Sequence, residues 1–422
     1  MLTDINNGKI EMTDKKFLIN FGWLNLSSLI NKFISFFYVV ALVRLLPQSS
    51  FGIYNLVWAH LGILGGWQDL GTTPYGLLQN EKSDKRILNN ILSLRIVLAL
   101  VISVLTILLT MAFDYSAEIV RTVILFSGLY LYTASTGFFL IICSIKKKLR
   151  YPSILSIGFN TILVISNLIV LFKTRNVFTV FGVTAIYYLL YGVLIFWVIK
   201  KYFFDFQFRL EKSQIKLIFK NSFVFSLISF FASVQTRADY LIINKLLGPT
   251  QLALYSAAHK FYDVPLLMVA NYNFSSIPVF RSLYQKSRTD YRQKISSDSR
   301  FLFLLSLIIL LATWLIGGPI IKIFFSDKYL LSIPILNVII INLPLVLLSS
   351  VFLNALYAQN KQSRIVYFFA AVAVLNVILN LILVPWLGII GAAISTVTSY
   401  LALALSFGWY LFSLLKNEKN QR

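Results

Sequence analysis

The sequence predicts an all-α, polytopic membrane protein, and three observations carry that prediction. Hydrophobic residues make up 58% of the chain and charged residues only 13%, with a mean hydropathy of +0.77, outside the range of soluble domains. The apolar residues gather into about twelve segments, each long enough to cross about 30 Å of hydrocarbon as a helix. The connections between segments alternate between rich and poor in Lys and Arg, as they do in a chain threaded repeatedly through a bilayer.

Apolar runs bounded by charge place the helices at 17–43, 51–79, 87–113, 118–145, 152–173, 177–199, 221–247, 252–280, 300–325, 331–358, 363–385 and 389–415. The polar start, MLTDINNGKIEMTDKK, has no small-residue cleavage site after the first apolar run, so it reads as a retained segment and not as a signal peptide. One set of connections holds Lys15 and Lys16, Lys82, Lys85 and Arg86, Lys146 to Arg150, Lys200 to Lys216, Arg281 to Lys294, Lys361 and Arg364, and the tail Lys416, Lys419 and Arg422. The other set holds Arg44, Arg121, Lys173, Arg175, Lys245, Lys322 and Lys328. Basic loops stay inside, so both termini are expected in the cytoplasm, which agrees with an even number of spans. The net charge of +22 is spread over these loops and not gathered on one face, which argues against nucleic acid as a partner.

A shift of 201 residues lays Leu45-Leu46 on Leu246-Leu247, Tyr54 on Tyr255 and Asn20 on Asn221. The same shift lays Asn25, Ser28, Lys32 and Ser35 on Ser226, Ser229, Ser233 and Thr236, one polar stripe along an otherwise apolar helix in each half. Asn167-Leu168-Ile169 and Gly182 are echoed by Asn380-Leu381-Ile382 and Gly391. The chain divides into six-helix halves at 1–199 and 221–422, joined by an amphipathic cytoplasmic connector at 200–220. Parallel repeats of this kind enclose a central cavity used for alternating access.

Charges within spans are the informative residues, since each costs about 2.5 to 3.5 kcal/mol at a helix centre. They are Lys32, Asp69, Arg95, Arg237, Asp239, Lys260 and Asp263. Lys32 lies on one stripe and Arg237 four residues beyond Ser233 on the other, so both are expected to project into one cationic cavity. Asp69 and Arg95 stand near helix ends, where they either snorkel to the interface or face the cavity. Lys260 and Asp263, three apart, either pair with each other or meet a substrate. Arg44 and Lys245 are equivalent under the shift and serve as an outer gate or as interfacial anchors. His259 stands four residues before Asp263, within reach of a proton-sharing pair. His60, His259 and the single Cys143 show no ligand spacing, so no metal is expected, and the absence of a GxxxxGK[ST] loop argues against ATP hydrolysis. No other cofactor is called for.

Arg44-Leu45-Leu46-Pro47 with Phe51-Gly52-Ile53-Tyr54, Asp239-Tyr240 with Leu246-Leu247-Gly248-Pro249, Tyr255 to Lys260, and Asn376 to Ile394 together resemble the polysaccharide transport family of the multidrug/oligosaccharidyl-lipid/polysaccharide exporter superfamily, in particular its Wzx-type O-antigen flippases. The resemblance spans nearly the whole chain. It implies two six-helix bundles in a V shape that carry an undecaprenyl-pyrophosphate-linked oligosaccharide to the periplasmic leaflet, without catalysis, beside the polysaccharide polymerase machinery. The cationic positions carried over are Lys32, Arg237, Arg95, Lys260 and Arg44, with Asp239, Asp263 and His259 as candidates for ion coupling. The alternatives are a membrane-embedded polymerase or ligase, which needs a larger outer loop than any here, and a small-molecule antiporter, which needs more intramembrane carboxylates.

Overall fold

The computed structural model describes residues 15–77, 84–113 and 115–420. The polar start through Asp14, Lys82 and Arg422, which entered the reading of processing and orientation, lie outside those residues. The first half comprises α1 (Lys15–Leu45), α2 (Gln48–Gln68), α3 (Thr72–Leu77), α4 (Lys85–Ala112), α5 (Ala117–Phe126), α6 (Leu129–Ile145), α7 (Arg150–Thr174) and α8 (Val177–Val198). The second comprises α9 (Lys212–Leu247), α10 (Pro249–Lys286), α11 (Arg288–Phe325), α12 (Ile333–Ile339), α13 (Asn342–Ala358), α14 (Gln362–Leu387) and α15 (Ile389–Asn420).

Local chemistry sets the breaks. Asp84 accepts the Arg86 amide at 2.9 Å to start α4, and Asn176 accepts the Phe178 amide at 2.7 Å to start α8. Gly248 holds φ +84°, a conformation that other residues adopt only under strain, and Pro249 follows at the first position of α10, so a 36-residue helix reverses into a 38-residue one.

Nine helices among the described residues are long and apolar enough to cross a membrane, counting α5 with α6 as one span. A tenth span is the pair formed by Asp327–Ile339 and α13, bent by 42°. The remaining two rods, α2 with α3 and α10, bring the total to twelve. They fail the apolarity test because α2 carries Asn55, His60 and Gln68, and α10 carries His259, Lys260 and Asp263. Both pack against the other half. α2 packs against α9 and α10 of the other half, and its glycines make that approach close. A Cβ at Gly52 would strike the Pro249 carbonyl, at Gly62 the Arg237 guanidinium, and at Gly66 the Ser229 carbonyl and Ser233 hydroxyl.

Each half is one bundle, and the pairings recur. α1 lies on α7 as α9 lies on α14, α4 on α6 as α11 on α13, α6 on α8 as α13 on α15, and α7 on α8 as α14 on α15. One large apolar core runs through both halves. A second, built on Phe138, Phe139, Ile195 and Ile199, closes the basic end of the first half.

The spans expected at 51–79, 118–145 and 331–358 are each broken into two helices, and two helix starts and the connector also depart from the sequence reading. The helix expected from 221 starts at Lys212, because its first turns expose Lys212, Lys216 and Lys220 while burying Ile218, a pattern that a search for apolar runs discards. The connector is a π-helical turn, Ile199–Phe203, and an irregular segment through Glu211 held by α4. Asn89 Oδ1 accepts the Gln207 amide at 3.0 Å, Ser93 Oγ the Arg209 amide at 2.9 Å and Asn90 Oδ1 the Glu211 amide at 2.7 Å. The helix expected from 300 starts at Arg288, where the Ser287 hydroxyl accepts the Asp290 amide at 3.2 Å.

Candidate functional site

A cavity of about 250 Å³ lies between the halves, lined by Trp58 of α2, Arg237 and Asp239 of α9, Lys260 and Asp263 of α10, and Tyr400 of α15. Lys260, Lys32 and Arg237 all stand within electrostatic reach of the Asp263 carboxylate, so the structure brings cations from α1, α9 and α10 around one point. Lys32 is exposed, as are Ser28 and Ser35 on its stripe and Ser229 and Thr236 on the other. The Arg237 guanidinium lies over Gly62 and donates to the Trp58 carbonyl at 3.3 Å. Among the described residues no carboxylate comes within 4.0 Å of Lys32, Arg237 or Lys260. All three charges remain available to a ligand. The cavity is not purely cationic, however, since Asp239 and Asp263 offset two of them.

Asp239 is only 1% exposed. Its carboxylate accepts from the Tyr255 hydroxyl and, at 2.9 Å, from the Tyr240 amide. The His259 Nε2 lies 4.0 Å from it, and the imidazole sits among the rings of Tyr240, Tyr255 and Tyr262. The carboxylate beside His259 is therefore Asp239 and not Asp263, because neighbouring antiparallel helices bring these two closer than one turn of α10 does.

Arg95 belongs elsewhere, which corrects its placement in the cavity. It is 3% exposed and pairs with Asp69. It also donates to Thr72 Oγ1 at 3.0 Å, Thr73 Oγ1 at 2.9 Å, the Ala134 carbonyl at 3.2 Å and the Thr133 carbonyl at 3.1 Å. Asp69 accepts from both threonine hydroxyls, at 3.0 and 2.8 Å. Gly137 leaves the room that the guanidinium occupies. The buried Arg95 charge is compensated inside the first bundle by the half-buried Asp69.

The far end, opposite the basic loops, is closed by contacts between halves. Arg44 donates to the Phe324 carbonyl at 2.9 Å and to the Ile323 carbonyl, at the C-terminus of α11. Lys245, its equivalent under the 201-residue shift, donates to the Phe113 carbonyl at 3.3 Å, at the C-terminus of α4. Cations are favoured at helix C-termini, so the two halves latch each other reciprocally. Gln48 adds a bond to the Lys328 carbonyl at 2.6 Å, and Phe36 meets Phe261 and Phe324.

Sequence reasoning missed Tyr255 and Tyr240 as the partners of Asp239, and Asn55 and Trp58 as cavity lining. One signal was available: Asp239 and Tyr255 lie at similar distances before and after the Gly248 turn, and so come level in an antiparallel helical hairpin.

A family model described as polysaccharide biosynthesis protein matches residues 17–284. The chain is 28% identical over 272 residues to an uncharacterized membrane protein of Methanocaldococcus jannaschii; the match covers 59% of this chain and spans about half of that relative, 50% of its length. In structure the chain is similar to the lipid II flippase MurJ in an inward closed conformation, with a TM-score of 0.74, 15% identity, and coverage of 92% of this chain and 87% of that one. It is also similar to the inward-facing conformation of a multidrug resistance MATE family transporter of the MOP superfamily, with a TM-score of 0.71, 14% identity, and coverage of 92% and 96%. The outward-facing conformation of such a transporter superposes less closely, with a TM-score of 0.60, 15% identity, and coverage of 95% and 96%. The fold is the one these structures share, two six-helix bundles, and its closed far end agrees with the nearer likeness to the inward-facing form.

Proposed function

We propose that this chain, which belongs to the polysaccharide biosynthesis protein family, is a flippase that carries undecaprenyl-pyrophosphate-linked O-antigen or related repeat units from the cytoplasmic to the periplasmic leaflet of a bacterial inner membrane. The observation that carries this reading is the meeting of Lys32, Arg237 and Lys260 at a cavity latched shut on the far side. A pyrophosphate loses its hydration on leaving water, and fixed cations in a low-dielectric cavity offset that cost. The sugar crosses with it, and the chain catalyses no reaction. Both termini lie in the cytoplasm, the segments 1–199 and 221–422 move as two bodies about the connector at 200–220, and the cargo passes on to polysaccharide polymerase machinery.

Coupling falls to Asp239, with His259 and Tyr255 beside it, and to Asp263. A buried acid on α9 that alternately binds and releases a cation ties ion movement to the relative tilt of α9 and α10. The two carboxylates also favour a second reading, a small-molecule antiporter, which would use the same acids to bind a cationic drug. One experiment separates the two readings. In proteoliposomes, a fluorescent lipid-linked oligosaccharide is expected to reach the far leaflet only when the protein is present. Collapsing proton and sodium gradients slows that flipping, and Asp239→Asn removes the gradient dependence. Cationic dye movement without lipid flipping would instead establish the antiporter, and flipping indifferent to both gradients would remove the coupling role.

A further inference from the structure

The two halves treat one structural position differently. In the first half, the groove between α4 and α8 on the basic end is filled by the chain itself. The connector runs through it, its backbone held by Asn89, Asn90 and Ser93 of α4, while Phe203 packs on Phe139, Phe204 on Phe138 and Phe206 on Phe196. In the second half, α11 takes the place of α4, α13 that of α6 and α15 that of α8. Asn89 and Ser93 stand four and eight residues after Lys85, the first residue of α4; Arg292 and Ser296 stand four and eight after Arg288, the first of α11. No described segment of the chain fills that second groove.

Its lining is built for an amphiphilic anion. Arg292, Arg300 and Lys416 border a space of about 490 Å³ floored by Ile295, Phe352 and Phe412, and among the described residues no acidic side chain lines it. Arg292 donates through Nη2 to the Leu415 carbonyl at 2.5 Å, but its Nε is buried without a partner, as is the neighbouring Ser299 hydroxyl. Buried polar groups in that state cost free energy until something pairs with them. Away from the cations, the exposed apolar side chains Phe301, Leu304 and Ile308 of α11 and Leu405, Trp409 and Phe412 of α15 run toward the middle of the span.

We infer that the groove between α11 and α15 holds one anionic phospholipid, its phosphate against Arg292, Ser299, Arg300 and Lys416 and its acyl chains along the apolar faces of the two helices. Basic pockets between membrane helices on the basic side recognise anionic headgroups in this way. The lipid does for the second bundle what the connector does for the first: it fills the groove and fixes the distance between α11 and α15. This site is separate from the central cavity and does not depend on the cargo.

The test uses full-length protein in nanodiscs of mixed phosphatidylglycerol and phosphatidylcholine, extracted into detergent and weighed by native mass spectrometry. Wild-type protein is expected to retain one phosphatidylglycerol in preference to phosphatidylcholine, and to keep it against an excess of inorganic phosphate. Each basic group near an anionic headgroup contributes about five-fold, so Arg300→Gln with Lys416→Gln, both exposed charges, lowers the affinity for phosphatidylglycerol roughly thirty-fold and with it the fraction of protein that retains the lipid. Ser296→Glu, which sets a carboxylate among the cations, lowers it independently. Equal retention of the two lipids, or unchanged retention in both variants, overturns the proposal. Displacement by inorganic phosphate overturns it too, in favour of a site for the free anion.

Discussion

Replacing Lys32 or Arg237 with alanine is expected to abolish surface polysaccharide while the protein stays in the membrane at its normal level. Lys32 is exposed and within electrostatic reach of Asp263, and the Arg237 side chain leans across Gly62 with one bond to a backbone carbonyl, so neither holds the fold together. What they lose is the ligand. Removing one partner of a desolvated charge pair costs about 2–5 kcal/mol, roughly thirty-fold or more in affinity, and much of that is the penalty of an anion left unpaired. Lys32→Arg and Arg237→Lys keep the charge and restore part of the display. The readout is lipopolysaccharide or capsule on gels beside an immunoblot of the membrane fraction. Normal polysaccharide in both alanine variants would sink the assignment of the anion to this cavity.

Breaking the Asp69–Arg95 pair is expected to do the opposite, to lower protein abundance and thermal stability whatever the cargo. Arg95→Leu leaves Asp69 without its counter-charge among Thr72 and Thr73, and the loss of one partner of a buried pair costs about 3–5 kcal/mol. Gly137→Val, which fills the space of the guanidinium, has a similar effect through sterics. Asp69→Asn combined with Arg95→Leu removes both charges and recovers part of the loss, because the double variant leaves no uncompensated charge and the introduced asparagine amide still has the Thr72 and Thr73 hydroxyls to pair with. A melting curve of purified Arg95→Leu that overlays wild type, with transport lost, would return Arg95 to the ligand site.

The contrast between these two sites explains what the sequence made legible. Lys32 and Arg237 stand out in the sequence because Lys32 lies on a periodic polar stripe repeated in both halves and Arg237 follows the stripe residue Ser233 by four, and periodicity within one helix is a local property. Arg95 could not, because what decides its role is the meeting of α2 and α4 and the missing side chain of Gly137 on α6, three segments that no local pattern connects. The same limit misassigned His259, whose carboxylate neighbour stands across the Gly248 hairpin and not one turn along its own helix. The twelve rods were readable from apolar runs, but α2 and α10 owe their polarity to the interface between bundles, so they look least like membrane spans and line the cavity. The early starts of α9 and α11 were hidden for a related reason: basic, amphipathic turns at the membrane surface read as loop when only hydropathy is followed.

The account rests on alternation between a far end that is shut and one that is open. Arg44 and Lys245 hold it shut in this structure through reciprocal bonds to helix C-termini, with Gln48 bonded to the Lys328 carbonyl beside them. Gln48→Cys with Lys328→Cys places two thiols across that seam, and Cys143, the chain's one native cysteine, is buried. The decisive measurement is flipping of lipid-linked oligosaccharide by this variant in proteoliposomes, before and after a short bis-methanethiosulfonate reagent, which joins the two thiols through disulfides that a reductant breaks. Alternating access predicts that the cross-linked protein still binds cargo but does not flip it, and that reduction restores flipping. Unimpaired flipping with the far end covalently locked would contradict it.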